Sequence, residues 1–197
     1  MNGSTAARRR ATYEDLCQIP DHNVAEILDG ELVVTPRPAL RHARASSGLG
    51  GYLWGPFQTG RGGPGGWWIL DEPELHLADD IVVPDLAGWR RERLQAIPDA
   101  AYMTLAPDWV CEVISPATER MDRSRKMRIF AREGVPHLWL LDPLVRTLEV
   151  LRLESARWVL LGTHSDTDIA RAEPFEAIEI DLTALWPDPP AESPPGS

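Results

Sequence analysis

Lysine is almost missing from this chain: of its 20 Lys and Arg residues, only Lys126 is not arginine. Cysteine is nearly as scarce. Cys17 and Cys111 lie far apart and form no C-x-x-C pair, which excludes a disulfide framework and a cysteine zinc site. No two histidines stand in an H-x-x-x-H arrangement, so a zinc hydrolase is disfavoured and any metal is expected to be held by oxygen. Long apolar runs are lacking too. Trp67-Trp68-Ile69-Leu70 and Leu138-Trp139-Leu140-Leu141 fall far short of the roughly 18 residues a membrane span needs. Arg8-Arg9-Arg10 leads into Thr12-Tyr13-Glu14-Asp15, not an apolar stretch, so no secretory leader is read and a cytoplasmic location is expected. Net positive charge is absent as well: the balance of -10 argues against broad nonspecific attraction to nucleic acid.

What is present fits one folded domain. The 197 residues, 43% hydrophobic and 25% charged, have an ordinary globular composition. Residues 1–11 read as a disordered basic arm, 12–186 as the domain and 187–197 as a Pro-rich disordered tail. Thr12 caps a short helix that Pro20 ends. Asp29-Gly30 between Val24-Ala25-Glu26-Ile27-Leu28 and Glu31-Leu32-Val33-Val34-Thr35 predicts a type I′ hairpin, with Glu26 on a strand. A helix is expected from Leu40 to Phe57, weakened by its glycines. Strands follow at 67–70, 74–77 and 81–89. The nearly continuous apolar run 108–114 reads as a central strand covered on both faces. A helix over 118–133, capped by Thr118, leads to a strand at 137–141, adjacent to 108–114 through a right-handed crossover. Strands at 147–153, 157–161 and 177–180 complete an antiparallel extension. The fold class is α/β (α+β), a mixed sheet flanked by helices.

Two carboxylates stand out. Glu112 interrupts Val110-Cys111 and Val113-Ile114, where an ionised group costs several kcal/mol unless it is paired or bound to a metal. Asp85, within Val82-Val83-Pro84-Asp85-Leu86-Ala87, has the same difficulty on what reads as a neighbouring strand. Converging strand carboxylates suit magnesium, although pairing with the many arginines accounts for them as well. Lys126 adds weight to the first reading. Its compact ammonium can position water or stabilise phosphate as a guanidinium cannot, and its spacing to Ile129 and Phe130 sets it at the margin of an apolar helix face. Arg120, Arg123, Arg125, Arg128 and Arg132 crowd the same helix, and Arg37, Arg41 and Arg44 form a second basic cluster. Such surfaces are compatible with phosphate binding, Arg123 being one candidate contact.

As an ordered set, Glu26-Ile27-Leu28-Asp29-Gly30-Glu31-Leu32, Pro84-Asp85, Glu112-Val113-Ile114-Ser115-Pro116, Asp122, Lys126, Gly134-Val135-Pro136, Trp139 and Leu141-Asp142-Pro143 resemble the Uma-type restriction endonuclease-like family. That family is a bacterial branch of the PD-(D/E)xK nuclease superfamily, and the resemblance covers residues 12 to 185. It implies a restriction-endonuclease-like sheet and a Mg2+- or Mn2+-dependent endonuclease acting on DNA. By resemblance, Asp85, Glu112 and the Val113 carbonyl hold the metal and Lys126 orients the attacking water. Glu26 supplies a further carboxylate, and His42 is a candidate phosphate contact. The chain departs from the parent motif at Ile114, which stands where the superfamily places its lysine; the Uma-type branch supplies it from the next helix. Ala25 and Phe130 stand where tyrosines are expected. Cutting both strands favours a homodimer. A catalytically silent DNA-binding module and a protein-interaction module remain open alternatives.

Overall fold

In a computed structural model, residues 9–186 are described. The expected arm and tail lie largely outside them, at 1–8 and 187–197; Arg9 pairs with Asp15 at 2.8 Å, and Ala11 donates its N–H to Gly30.

The first helix, α1 (Tyr13–Cys17), opens with a reciprocal capping box between Thr12 and Asp15. The hairpin of β1 (Asn23–Leu28) and β2 (Glu31–Pro36) forms as the Asp-Gly pair requires, Asp29 and Gly30 having φ of 53° and 81°. The helix expected over 40–57 is α only through α2 (Leu40–Leu53), then widens to a π turn at Trp54–Thr59. Gly48, Gly50 and Gly51 weaken α2 intrinsically, so packing holds it: Ala45, Leu49 and Leu53 are fully buried. Each leucine buried there contributes about 1.5–3 kcal/mol.

The strands fall into two main sheets. Six order as β10-β9-β8-β7-β6-β3, namely β3 (Trp67–Asp71), β6 (Leu86–Arg90), β7 (Trp109–Val113), β8 (His137–Asp142), β9 (Thr147–Glu154) and β10 (Arg157–Ser165). Four order as β2-β1-β5-β4, with β4 (Leu75–Leu77) and β5 (Asp80–Val82) beside the hairpin. The expected single strand 81–89 is therefore two strands in two sheets. Pro84 offers no N–H to a ladder, and the chain changes sheet at Val83-Pro84-Asp85. The strand expected at 177–180 is also displaced: β12 (Ile180–Asp181) pairs with β11 (Ile169–Ala170) in a separate ribbon.

β7 and β8 are parallel neighbours, as the crossover predicts. Both faces of this pair are covered. Trp109, Cys111 and Val113 join α2 and the C-terminal residues in one core, while Val110 joins Ile129 and Phe130 in the other. Glu112, next in the alternation after Val110, therefore projects into the second layer. Among the described residues, no helix is long and apolar enough to cross a membrane.

The crossover helix is not continuous. α3 (Glu119–Met121) passes into a π turn at Asp122–Lys126 before α4 (Met127–Arg132). Thr118 makes no side-chain cap; its hydroxyl lies 3.0 Å from that of Ser115. Asp122 and Lys126 are both turned into the protein, 3% exposed each. Single π turns of this kind recur where helices carry function.

Candidate active site

The change of sheet at Val83 frees backbone groups that a ladder would otherwise pair, and side chains take them. The Val83 N–H donates to Glu26 Oε1 at 2.8 Å, and its carbonyl accepts from Lys126 Nζ at 3.1 Å. Two residues on, Asp85 does the reverse with its carboxylate. Oδ2 accepts the Val113 N–H at 2.7 Å, taking over where the β6–β7 register ends at Leu86 and Cys111. Asp85 is thus held at the junction of the sheets and not within a strand.

Lys126 is the centre of the cluster. Nζ stands 2.8 Å from each Glu112 oxygen, 3.2 Å from Glu26 Oε1 and 3.9 Å from Asp122 Oδ1. Only Oε2 of Glu112 is aligned to accept; Oε1 has no hydrogen-bond partner among the described residues. The ammonium bridges the two sheets, because Glu26 belongs to β1 and Glu112 to β7.

Burial and charge compete at each group. Burial would drive Lys126 toward neutrality, but Glu112, Glu26, Asp122 and Asp85 outweigh it and hold its pKa well above the ordinary lysine value. Burial raises Glu112 well above the usual carboxylate range, with Lys126 opposing and the other three acids reinforcing. Burial likewise pushes Asp122 to about 6, against Lys126 and a hydrogen bond from Thr118. Burial and the neighbouring acids thus push Glu112 and Asp122 toward their protonated forms, while Lys126 stays charged between them.

His42, in the first turn of α2, directs Nε2 at Asp85 Oδ1, 3.1 Å away. Burial lowers its affinity for a proton, but Asp85, Asp122 and the Val113 carbonyl reverse the balance and raise its pKa. Nδ1 nevertheless makes no aligned hydrogen bond among the described residues.

These groups line one cavity of about 320 Å³ that Glu26, His42, Val83, Asp85, Glu112, Asp122 and Lys126 share. At its mouth Arg37 Nη1 lies 3.2 Å from Glu72, whose φ is 43°. The fold therefore brings together Glu26, His42, Asp85, Glu112 and Lys126. It does not bring Arg123 there: its guanidinium makes two hydrogen bonds to Glu149 on β9, at 2.7 and 3.1 Å. The neighbouring basic residues are tied as well. Arg125 and Arg128 meet Asp29 at 3.1 and 2.7 Å, and Arg132 meets Asp80 at 2.7 Å. Three participants were missed in the sequence: the Val83 backbone, Asp122 as a buried acid, and the Arg37–Glu72 pair. Spacing four before Lys126 marks Asp122, but on an ordinary helix that pair reads as a surface ion pair.

Among the described residues, no group of three or more His, Cys, Asp or Glu is arranged to hold a metal. The donors present, Asp85 and Glu112, are the oxygen ligands that an ion using one or two carboxylates would take, completing its shell with water and phosphate as magnesium does; both Glu112 oxygens face Lys126 Nζ at 2.8 Å.

The mixed sheet with its few short helices has a counterpart among solved structures. A crystal structure of a putative nuclease belonging to DUF820 from Anabaena variabilis has this fold, with a TM-score of 0.72 at 18% identity, over 89% of this chain and 97% of that one. The family model Uma2, described as "Putative restriction endonuclease", matches residues 10–184, and the chain belongs to that family. No curated protein matches it. The family read from the ordered motifs is thereby borne out.

Proposed function

We propose that the chain is a divalent-metal-dependent endonuclease that hydrolyses phosphodiester bonds in DNA at the Lys126 cavity. The observation carrying this reading is the buried, solitary lysine between Glu112 and Glu26 in a cavity that Asp85 also enters. Structural pairing alone would not require lysine, since the chain uses arginine at every other such position.

Asp85 and Glu112 would hold the cation, with the Val113 carbonyl beside them. When bound, a divalent cation supplies Lewis-acid polarisation of the phosphate and lowers the pKa of a coordinated water. The residues do the rest. The Val113 N–H fixes the rotamer of Asp85, and Lys126 fixes Glu112. Phosphate entering the cavity draws the ammonium partly off its carboxylates, so its charge acts where negative charge develops. Glu26 accepts the Val83 N–H and faces the Lys126 ammonium at 3.2 Å, which favours the charged form of the lysine.

Plasmid cleavage in magnesium or manganese tests this with Asp85→Asn, Glu112→Gln and Lys126→Met, each checked for folding by circular dichroism. Folded variants should lose about 10²-fold or more in rate. Cleavage persisting in all three would overturn the reading. A protein-interaction module is favoured by one observation, the net charge of -10; failure to bind any nucleic acid at low salt would select it.

A further inference from the structure

The cluster of Arg37, Arg41 and Arg44 has no part in the cavity chemistry beyond Arg37 at its mouth, and it differs from the rest of the surface. From Leu32 to Leu70 the chain contains no Asp or Glu, whereas the whole carries 30 acids in 197 residues. Nowhere else does an acid-free run exceed 13 residues. α2 occupies the middle of this segment. Its inward side is Ala45, Leu49 and Leu53, with His42 reaching the cavity. Its outward side carries Arg41 and Arg44, both exposed, and among the described residues neither has an ion-pair or hydrogen-bond partner. The arginines of the crossover helix that face Asp29, Asp80 and Glu149 are engaged.

Between Leu40 and Trp54, both exposed, the same outward side is low. Ala43, Ser47 and Gly51 recur every four residues and are exposed, and a Cβ added at Gly51 would meet nothing within 4 Å. A helix bearing arginines next to a ridge without long side chains lets a phosphate strand approach the backbone closely. Its length, about 21 Å, runs away from the cavity, since His42, Ala39 and Pro38 line the cavity at its first turn.

We propose that the outward face of α2 is the track that holds the phosphate backbone of a DNA duplex beside the cavity, with Arg41 and Arg44 as its phosphate contacts. This rests on the nuclease reading of the cavity. It also bears on the conflict between a net charge of -10 and a polyanionic substrate: the duplex meets a helix that carries no acid of its own, with Asp71 beside Gly50 at its margin. Contacts of this kind position the duplex without reading its sequence.

The test is fluorescence anisotropy of the full-length protein with a short labelled DNA duplex, titrated over a salt series in calcium, which takes the same oxygen donors. The variant R41Q/R44Q should bind several-fold more weakly on every duplex sequence, and the slope of log affinity against log salt should fall by about two, roughly 0.9 per phosphate contact. Gly51→Glu, which adds charge in open space and improves helix propensity, should weaken binding without loss of folding. Arg128→Gln should change neither affinity nor slope. Unchanged affinity and slope in R41Q/R44Q would overturn the proposal while plasmid cleavage kept the nuclease reading standing. Loss confined to a single-stranded RNA probe would also overturn it. No binding of duplex by the unaltered protein at low salt would overturn both.

Discussion

The arginines of the crossover helix and those of α2 carry the same charge, and they differ in what they face. On the crossover helix Arg125 and Arg128 meet Asp29 in the β1–β2 turn, Arg132 meets Asp80 on β5 and Arg123 meets Glu149 on β9. They brace the helix that carries Lys126 against both sheets. On α2, Arg41 and Arg44 face solvent without partners among the described residues. The denser cluster in the sequence is thus largely spent on holding the site together, and the sparser one is available to a ligand. Counting basic residues does not separate a brace from a binding surface; the acids opposite them do.

The strongest way to break the comparison is at the braces. Asp80 is 2% exposed, accepts the Asp29 N–H at 2.5 Å and pairs with Arg132. Asp80→Ala leaves the Asp29 N–H without its acceptor and takes one of two partners from the half-exposed Arg132, so it should cost about 1–2 kcal/mol in urea unfolding, and it should slow cleavage by loosening the Lys126 helix. A smaller effect of opposite sign is expected on α2. Gly51→Ala should stabilise the protein by about 0.5–1 kcal/mol, read from the same denaturation curves, because it removes backbone freedom in an exposed helix with room for the methyl group. The smallest effect should come from R41Q/R44Q, whose unfolding midpoint should stay within about 0.5 kcal/mol of the parent. A destabilisation above that would mean that these arginines are braces too.

The local grammar of the fold was legible. Asp29-Gly30 dictated its hairpin, and the apolar run around Glu112 announced a central strand covered on both faces. The ordered motifs named the family. Lys126 stood out by being the only lysine. What escaped the sequence depends on groups that meet only in three dimensions. Pro84 signals a missing donor, but not that the chain crosses from one sheet to the other there, so the sequence pattern places Asp85 on a strand. The π turn at Asp122–Lys126 has no composition of its own. A regular helix predicted Lys126 at the margin of an apolar face and allowed Asp122 as a surface partner, whereas both are buried. Arg123 looked available because Glu149, 26 residues away, is invisible to local spacing.

The junction at Val83-Pro84-Asp85 makes site occupancy and global stability thermodynamically linked. Glu26 comes from one sheet, Glu112 from the other, and Lys126 joins them. A ligand that engages this cluster binds only where both sheets are docked, so mass action adds its binding free energy to the resistance against unfolding, about 2.7 kcal/mol at a hundredfold excess over Kd. Proteolytic lifetime in the presence of ligand then becomes a measure of affinity that requires no turnover.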